Sequence, residues 1–542
     1  MRCRWRLSDP WFDEDCRAAK RHTRQLECAA RRADPADAVA ATTAAWTSQR
    51  RAYRALLRQK REAFWQTKVD AERLSPRQMW QSIDALLGRG RVLPNDSISA
   101  AKFNQFFDDK VAGVRAMTAD VPPPLYVPAV PGCELLKFET LSVKDIVKAV
   151  RGLSDKQCAS DPIPTSLLKD NIDVLALYIV ELCNRSLSAG VVPSALKTAY
   201  ITPVLKKSGF DSADLKSYRP ISNLPILSKL LERLVARQLV GYLNGAKLLP
   251  QLQSAYRSCH STESAVVKVL MDILHALDVG DLAMLGLLDL SATFDTVDHA
   301  TLMRRLEISY GIRSTTLHWF ASYLDSRYQY VRCGADKSTL TLVLCGVPQG
   351  SVLGPILFLL YKADIIQLID SHGLHSHAYA DDTQIYGSCR PAGAAQLQER
   401  VSSCIDDVAL WMRSNRLQLN TAKTEVLWCA SSRRQHQIPQ VPVRVGSDLV
   451  SPASSVRDLG IHLDADASMK GHISMTVSNC FAILRQLRSI RRSVSRPVMQ
   501  SLVVSLPVAG PHESGLRQRV ACPAYRTLCS TGCSPCRTPP HA

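Results

Sequence analysis

Two adjacent aspartates, Asp381 and Asp382, stand between short runs of residues that favour β-strands. Tyr379 precedes the pair, and Ile385 and Tyr386 follow it. Because aspartate is disfavoured inside strands, the pattern predicts a β-hairpin with both carboxylates at its tip. Such a tip can hold the two carboxylates near one metal ion, although a solvent-exposed surface turn would have the same local sequence.

A third aspartate, Asp289, interrupts an apolar run upstream of the pair. Residues 285–290 read Leu-Gly-Leu-Leu-Asp-Leu, which is typical of a buried strand. A carboxylate buried there is costly unless it is paired or bound to a metal. One aspartate on a buried strand and two on a nearby hairpin would supply the oxygen ligands that two Mg²⁺ ions need in phosphoryl transfer.

The net charge of +18 is concentrated at the two ends of the chain. Residues 1–91 hold 20 Lys/Arg against 11 Asp/Glu, and residues 480–542 hold 9 against 1, which leaves +1 for the centre. A nearly neutral centre with an acidic site and two basic ends fits a metal-dependent enzyme that binds nucleic acid. Solvated basic ends without a partner are the alternative interpretation.

Composition excludes several classes of protein. The chain has 542 residues, 46% of them hydrophobic, and no apolar run near 18 residues, so we expect neither a disordered nor a membrane-spanning protein. The start of the chain does not resemble a secretory signal. Its 17 cysteines, an odd number without a regular spacing, suit a reducing compartment, so we expect an intracellular protein of the nucleus, the cytoplasm or both.

The N-terminal part of the chain is predicted to be helical and basic. Bulky residues recur at helical spacing over residues 44–83 with arginines between them, and this aromatic stripe fits packing or base stacking. A proline-rich linker at 121–132 would end this extension at about residue 120. After the linker, residues 142–145 resemble a capping box, residues 166–187 are predicted to form one helix, and residues 200–207 a short strand.

Seven blocks of the chain, taken in order, resemble the successive motifs of reverse transcriptases, most closely those of LINE-type (non-LTR) retrotransposons. The order of the blocks is more specific than any one of them. The blocks are Tyr218-Arg219-Pro220-Ile221, QLQSAYRSCHSTE (251–263), DLSATFDTVDH (289–299), GVPQGSVLGPILFLLY (346–361), YADD (379–382), NRLQLNTAKTE (415–425) and Leu459-Gly460.

This resemblance implies an RNA-directed DNA polymerase, with an RNA template, a DNA primer and deoxynucleoside triphosphates as partners. Asp289, Asp381 and Asp382 match the three carboxylates that bind two Mg²⁺ ions in the family, with Mn²⁺ as a substitute. The implied reaction is the in-line displacement of pyrophosphate, which needs no nucleophilic side chain.

The resemblance also implies roles for residues around the carboxylates. Phe294 matches the aromatic steric gate that excludes a ribose 2′-hydroxyl, although its spacing also fits a core residue. Gln349 and Gly350 lie in the turn beside the incoming nucleotide, and Lys423 matches a lysine near the leaving pyrophosphate, where it is a candidate proton donor. Arg219, with Lys206 as a weaker candidate, matches residues that contact phosphates.

The chain departs from the family pattern at several places. Thr293 stands where alanine is usual, and Lys362 where a neutral residue is usual, and both are expected to disturb packing. We expect only a partial thumb at 466–506, an irregular and apparently frameshifted tail at 507–542, and no endonuclease domain. Cys529, Cys533, Cys536 and His541 in the tail do not have the spacing of a zinc knuckle.

The expected fold is α+β: a right-hand polymerase with a ferredoxin-like palm of antiparallel strands, fingers and a partial thumb, with fingers and palm within 133–465. Two other functions stay open at this point. One is an inactive retroelement remnant that binds nucleic acid through its basic ends. The other is a carboxylate-metal nuclease, which would leave Phe294 and the Pro-Gln-Gly turn unexplained.

Overall fold

A computed structural model gives the structure of the protein. It describes residues 11–33, 36–72, 98–129, 131–154, 161, 164–206, 210–291, 293–491, 496, 499 and 500. The expectations for residues 73–83 and for the tail at 507–542, with its cysteines, lie outside these residues. Described residues below 93 and from 473 to 500 form one compact unit, and those of 93–472 form a second.

Helices and strands alternate along the chain, which confirms the mixed α+β class. Over the described ranges, no helix has both the length and the apolar character needed to cross a bilayer. The helices are α1 (Glu14–Arg32), α2 (Ala36–Glu72), α3 (Ala100–Met117), α4 (Val143–Arg151), α5 (Thr165–Asp170), α6 (Ile172–Ala189), α7 (Ile226–Gly245), α8 (Thr262–Asp278), α9 (His299–Ile308), α10 (Ser314–Leu324), α11 (Leu353–Tyr361), α12 (Ile365–Ser371), α13 (Ala394–Ser414) and α14 (Lys470–Ile490).

In the part of the chain that the structure describes, the strands form two larger sheets and three two-stranded ladders. They are β1 (Ala199–Leu205), β2 (Tyr218–Asn223), β3 (Leu282–Leu288), β4 (Leu290–Ser291), β5 (Arg327–Cys333), β6 (Asp336–Lys337), β7 (Thr341–Val343), β8 (His375–Tyr379), β9 (Asp382–Cys389), β10 (Gln418–Leu419), β11 (Glu425–Cys429), β12 (Val443–Val445), β13 (Asp448–Val450), β14 (Ser455–Asp458) and β15 (Ile461–Asp464).

The N-terminal unit contains the pair of helices α1 and α2. Asp13 caps α1 by accepting the backbone N–H of Cys16, and the Lys60 ammonium on α2 lies 2.6 Å from the carboxylates of both Asp13 and Asp15. The Arg61 guanidinium lies 4.7 Å from the ring of Trp11. These contacts join the two helices, and α2 confirms the predicted long helix as far as residue 72.

The central sheet of the second unit has four antiparallel strands in the order β11-β3-β9-β8. Strand β3 is apolar at every position because helices cover both faces of the sheet. Alternate side chains of β3 point to opposite faces. Met284 and Leu288 lie in the main core, which includes residues of α13, whereas Ala283 and Leu285 pack with residues of α8 in a second cluster.

Strands β8 and β9 form the predicted hairpin. Tyr379 pairs with Asp382, which leaves Ala380 and Asp381 as a two-residue turn. Ala380 has a positive φ of 56°, as the first residue of a tight hairpin turn requires. The hairpin prediction is confirmed, with Asp381 in the turn and Asp382 as the first residue of β9.

The second sheet lies upstream and is built around β1. Strand β1 pairs antiparallel with β2 and parallel with β5, and β7 extends the sheet on the far side of β5. Helix α3 packs on this sheet through Phe103, whose ring lies 4.9 Å from that of Tyr218. Strand β1 confirms the strand predicted at 200–207 as far as Leu205.

Two local predictions near α4 have different outcomes. The capping box is confirmed, because Ser142 and Asp145 exchange hydrogen bonds at the start of α4. The single helix predicted at 166–187 is wrong: the chain forms α5 and α6 with a break at Asn171. The Asn171 side chain donates to the Leu167 carbonyl at 2.9 Å, a local bond that competes with continued helix.

Candidate active site

Strand register brings the three aspartates to the same end of the central sheet. Leu288 on β3 lies opposite Thr383 on β9. Asp289 follows Leu288, and Asp382 precedes Thr383, so both residues lie where the two neighbouring strands end. Asp381 is in the adjoining turn. Residues that are distant in sequence are therefore neighbours at one sheet edge.

Asp289 is held by residues of the segment that leads into β11. Lys423 Nζ and Asn420 Nδ2 each lie 3.2 Å from Asp289 Oδ2, and the Asn420 backbone N–H donates to the Asp289 carbonyl at 2.9 Å. The short ladder of β4 and β10 fixes the two segments beside each other. Lys423 therefore contacts a carboxylate of the candidate site directly.

A cavity of about 850 Å³ opens at this sheet edge. It lies between the central sheet, the β1-β2-β5 sheet and helix α3. Asp382 is not part of its lining. The predicted site residues that do line it are Asp289, Asp381, Lys423, Arg219, Lys206, Phe294, Gln349 and Gly350.

Cationic side chains surround one part of the cavity. The Lys206 ammonium donates to the Lys216 carbonyl at 2.6 Å. Burial lowers the pKa of Lys206, and the positive charges of Lys110, Lys423 and Arg219 lower it further. These cations are therefore close enough to repel one another, and an anionic ligand would relieve that repulsion.

The Gly346–Ser351 loop crosses the cavity wall in a fixed position. The Gly346 N–H donates to the Val297 carbonyl at 2.7 Å, and the Ser222 N–H donates to the Gln349 carbonyl at 2.8 Å. At the exit of the loop, the buried carboxylate of Glu232 accepts the N–H groups of Val352 and Leu353. Hydrogen bonds thus fix the loop at Gly346 and at Gln349, and they fix the start of α11 directly after it.

Both end positions of this loop require glycine. Gly350 has φ of 129°, and a Cβ there would lie 2.4 Å from the Ser222 carbonyl oxygen. Gly346 has φ of 90°, and a Cβ there would lie 2.7 Å from the Asp295 carbonyl oxygen. Close backbone approach, together with positive φ, explains why glycine stands at both positions.

Phe294 combines the two roles that its sequence position left open. Its ring lines the cavity and also packs against the ring of Phe358 on α11, with 4.9 Å between ring centroids. Its backbone carbonyl accepts the N–H of Val347 at 2.8 Å. The ring is therefore held in the cavity wall by the core behind it.

Asp295, which sequence analysis did not select, contacts Gln349. The Gln349 Nε2 lies 3.4 and 3.3 Å from the two carboxylate oxygens of Asp295. Desolvation raises the pKa of Asp295 to about 6, and the charge of Lys110 and the Gln349 hydrogen bond oppose that shift. The carboxylate orients the carboxamide of Gln349 at the cavity.

Sequence analysis also missed Lys110, Arg115 and Asn420, which line the cavity. Lys110 and Arg115 lie on α3, in the segment that was predicted to be an N-terminal extension. Nothing in the sequence pattern indicates where α3 packs. Asn420 could have been selected from the sequence, because it lies three residues before Lys423 in a motif already singled out.

The carboxylates at this edge have the chemistry that a divalent cation requires. Within the described ranges, no three His, Cys, Asp or Glu side chains are already arranged around a common metal position. The Lys423 ammonium does lie against Asp289 Oδ2, so a positive charge is stabilised at this carboxylate. Carboxylate oxygens are the ligands that hard divalent cations prefer. Asp289, Asp381 and Asp382 are therefore suitable ligands by chemistry, and strand register brings them to one edge of the sheet.

Comparison with known proteins agrees with this geometry. Residues 204–463 match the family described as reverse transcriptase (RNA-dependent DNA polymerase). The chain is 30% identical over 366 residues to the probable RNA-directed DNA polymerase from transposon BS of Drosophila melanogaster. Residues 204–463 are therefore similar to reverse transcriptases, and they are referred to as the reverse transcriptase domain. The mixed α+β fold is that expected of this family, which generally uses divalent metal ions.

Two further relatives of the reverse transcriptase domain come from the same fly. The chain is 30% identical over 341 residues to the probable RNA-directed DNA polymerase from transposon X-element, and 28% over 305 residues to that from mobile element jockey. With transposon BS, the three alignments cover 65%, 62% and 55% of this chain, but only 39%, 36% and 32% of the relatives. The chain thus spans less than two-fifths of the length of these relatives.

Proposed function

We propose that the reverse transcriptase domain copies an RNA template into DNA. Its substrates are deoxynucleoside triphosphates and the 3′-hydroxyl of a DNA primer. The observation that carries the proposal is the convergence of Asp289 and Asp381 on one cavity with a set of cations, while Asp382 lies at the same sheet edge. The relatives named as RNA-directed DNA polymerases support the same activity.

The cavity suits the two charged parts of this reaction. Asp289, Asp381 and Asp382 are proposed to bind two Mg²⁺ ions, which supply charge neutralisation at the reacting oxygens, with Mn²⁺ as a substitute. We propose that the triphosphate is bound by Lys206, Arg219 and Lys110. A cation about 4 Å from a phosphate oxygen stabilises that oxygen most strongly where water is excluded.

The proposed reaction transfers a nucleotidyl group. The primer 3′-oxygen forms a bond to the α-phosphorus of the triphosphate as the bond to the bridging oxygen breaks, and pyrophosphate leaves. The hydroxyl proton passes to solvent. Lys423, which contacts Asp289, is the proposed proton donor to the leaving pyrophosphate. Positioning and charge carry most of the rate in such transfers.

Selection of deoxynucleotides is assigned to the wall formed by Phe294 and Gln349. The Phe294 ring is supported from behind by Phe358, so it cannot retreat easily from a 2′-hydroxyl. Gln349 is oriented by Asp295 and contacts the same cavity. Because the proposed template is RNA made in the cell, the proposed place of action is intracellular, in the nucleus, the cytoplasm or both.

The experiment that tests this proposal is extension of a DNA primer on an RNA template with the purified chain. The wild type is compared with the double variant Asp381→Asn/Asp382→Asn, with and without Mg²⁺. We expect Mg²⁺-dependent extension by the wild type and a loss of at least about 10³-fold in the variant, as for groups that stabilise a transition state by charge.

The same experiment tests the rival function. If wild type and variant are equally inactive while both bind duplex in a salt-dependent way, the chain is a nucleic-acid-binding remnant and the polymerase proposal is wrong. Cleavage of the template without extension would indicate the nuclease instead.

A further inference from the structure

Lys362 lies directly beneath the turn that carries Asp381. The residue follows helix α11 and is only 2% exposed. Its Nζ donates to the Ala380 carbonyl at 2.7 Å, to the Asp381 carbonyl at 3.2 Å and to the Thr383 hydroxyl at 3.0 Å. A lysine ammonium has three donors, and here each has an acceptor. The expectation that this lysine disturbs packing is wrong, because the hairpin turn supplies the acceptors.

The turn is a place where such support matters. Ala380 has φ of 56°, a conformation that residues with a Cβ rarely adopt. Gln253 Oε1 accepts the Ala380 N–H at 3.1 Å, and Lys362 binds the Ala380 carbonyl. Strained backbone of this kind persists only when its surroundings fix it. Gln253 and Lys362 hold the peptide groups on the two sides of Ala380.

Lys362 also places a positive charge among the candidate metal ligands. Three acceptors surround its Nζ, and the ammonium form has one N–H donor for each of them. This hydrogen-bonding geometry favours the charged form of the side chain. An ammonium buried this close to two carboxylates neutralises part of their charge and repels a cation that binds to them.

We propose that Lys362 is a positioning residue of the active site, which fixes the Ala380–Asp381 turn and weakens the binding of divalent cations to the adjacent carboxylates. The proposal rests on the polymerase function proposed above. It predicts two effects of opposite sign. Loss of the hydrogen bonds lowers turnover, whereas loss of the charge tightens cation binding. If Lys362 only fixed the turn and its charge had no effect, its removal would loosen the turn and weaken cation binding.

The test uses the full-length chain with Lys362→Met and Lys362→Gln. Both variants remove the charge, and only the glutamine keeps a hydrogen-bond donor. Direct Mn²⁺ binding is measured by electron paramagnetic resonance without nucleotide, and the signal that disappears in Asp381→Asn/Asp382→Asn defines the site. Primer extension at saturating Mn²⁺ gives kcat. We expect the Mn²⁺ dissociation constant to fall about threefold or more in both variants, and kcat to fall about tenfold in Lys362→Met and less in Lys362→Gln.

A matched control is available in Lys197→Met. Lys197 is another buried lysine, 8% exposed, whose Nζ donates to the Asp325 carbonyl, and it does not line the cavity. We expect this variant to lose thermal stability without a change in Mn²⁺ affinity. A Mn²⁺ dissociation constant that is unchanged or higher in the folded Lys362 variants would overturn the inference. Absence of extension by the wild type would overturn the polymerase function alone, because Mn²⁺ binding still reports on Lys362.

Discussion

At the scale of single residues, the contact between Asp295 and Gln349 shows how a buried charge serves the site. The carboxylate costs free energy to bury, which is why its pKa rises to about 6. Both of its oxygens lie near the Gln349 carboxamide, so the charged form holds that group in one orientation. Protonation of Asp295 converts one of these two acceptor oxygens into an O–H group.

The first prediction concerns Asp295→Asn. These hydrogen bonds are long, so we expect KM for the deoxynucleotide to rise about fivefold, with a smaller change in kcat. In the wild type the carboxyl is ionised above pH 6 and protonated below, so KM should rise as the pH falls through about 6. Steady-state kinetics between pH 5 and pH 8 check both points.

The variant contains its own control. Without a titrating carboxyl at position 295, KM should not change around pH 6. A variant that keeps the wild-type pH profile would show that another group titrates and that Asp295 does not orient Gln349.

Also at this scale, the Gly350 backbone allows the Gly346–Ser351 loop to approach β2. Gly350→Ala would place a Cβ 2.4 Å from the Ser222 carbonyl oxygen at a φ of 129°. We expect the loop to move and kcat/KM to fall about tenfold or more, because a displacement near the reacting groups costs much of their alignment. Single-nucleotide incorporation kinetics measure the loss.

Gly241→Ala is the control for that substitution. Gly241 lies within α7, and a Cβ there meets no atom within 4 Å. Alanine in a helix interior is more stable than glycine by roughly 0.5–1 kcal/mol. We expect unchanged kcat/KM and slightly higher thermal stability. Equal losses in the two glycine variants would contradict the close-approach argument.

At the scale of secondary-structure elements, a buried polar pair joins the β14–β15 hairpin to strand β9. Gln384 on β9 donates to Asp458 on β14 at 2.6 Å. The second oxygen of Asp458 is buried and accepts no hydrogen bond from the residues that the structure describes. Burial raises the pKa of Asp458 to about 6, and the Gln384 bond opposes that shift.

The prediction is that Asp458→Asn stabilises the protein above pH 6. A carboxyl with a raised folded-state pKa binds its proton more tightly when folded, so the wild type loses stability as the pH rises from about 4 to about 6. The amide keeps an acceptor for Gln384 and has no charge to bury. Its advantage in the free energy of unfolding at pH 8 should be about 1–3 kcal/mol.

Chemical denaturation at pH 4 and pH 8 measures this difference. The advantage of the variant should be largest at pH 8 and small at pH 4. A variant that is less stable than the wild type at pH 8 would show that the charged carboxylate itself contributes to joining β14 to β9.

At the scale of the whole molecule, charge is divided between the site and the chain ends. The cations that line the cavity face the proposed triphosphate, whereas α2 presents exposed arginines at Arg50, Arg51, Arg54 and Arg58. Interaction of exposed cations with phosphates is recognised by its dependence on salt, since each neutralised phosphate releases counterions.

We predict that changing these four α2 arginines to glutamine weakens binding of an RNA–DNA duplex. The slope of log affinity against log salt should decrease in magnitude by about 3 to 4, or about 0.9 for each phosphate that an arginine no longer neutralises. Fluorescence anisotropy at several salt concentrations measures the slope, and kcat at saturating duplex should change little.

The matched control changes arginines that are already paired with a glutamate of the same helix: Arg17, Arg21, Arg31 and Arg185. It removes the same charge, and we expect a smaller change in slope. Equal slopes for both sets would mean that net charge, and not α2, determines duplex binding.

Much of the fold and the site was predictable from local chemistry. The hairpin at 379–382, the buried strand before Asp289 and the capping box at 142–145 each follow from the conformational preferences of a few neighbouring residues. The candidate cavity residues were identified through the resemblance of their motifs to those of reverse transcriptases. Their catalytic roles stay predictions.

Other features required the folded chain. Asp295 lies beside a residue that sequence analysis singled out, but its contact with Gln349 depends on how two loops meet. Lys110 contributes to the cavity only because the aromatic residues of α3 pack on the β1-β2-β5 sheet. Lys362 was expected to disturb packing. In the folded chain, the carbonyls of Ala380 and Asp381 and the Thr383 hydroxyl accept hydrogen bonds from its ammonium.

The sequence alone determined which residues carry charge and where strands and turns form, because these properties depend on near neighbours along the chain. The tertiary structure decided which of those charges meet. Contacts between distant residues set the register of β3 with β9 and the packing of α3 and α11. Only when these contacts form do the side chains of Lys362, Asp295 and Asp458 become buried, so that the free-energy cost of burial is set against the hydrogen bonds that they make.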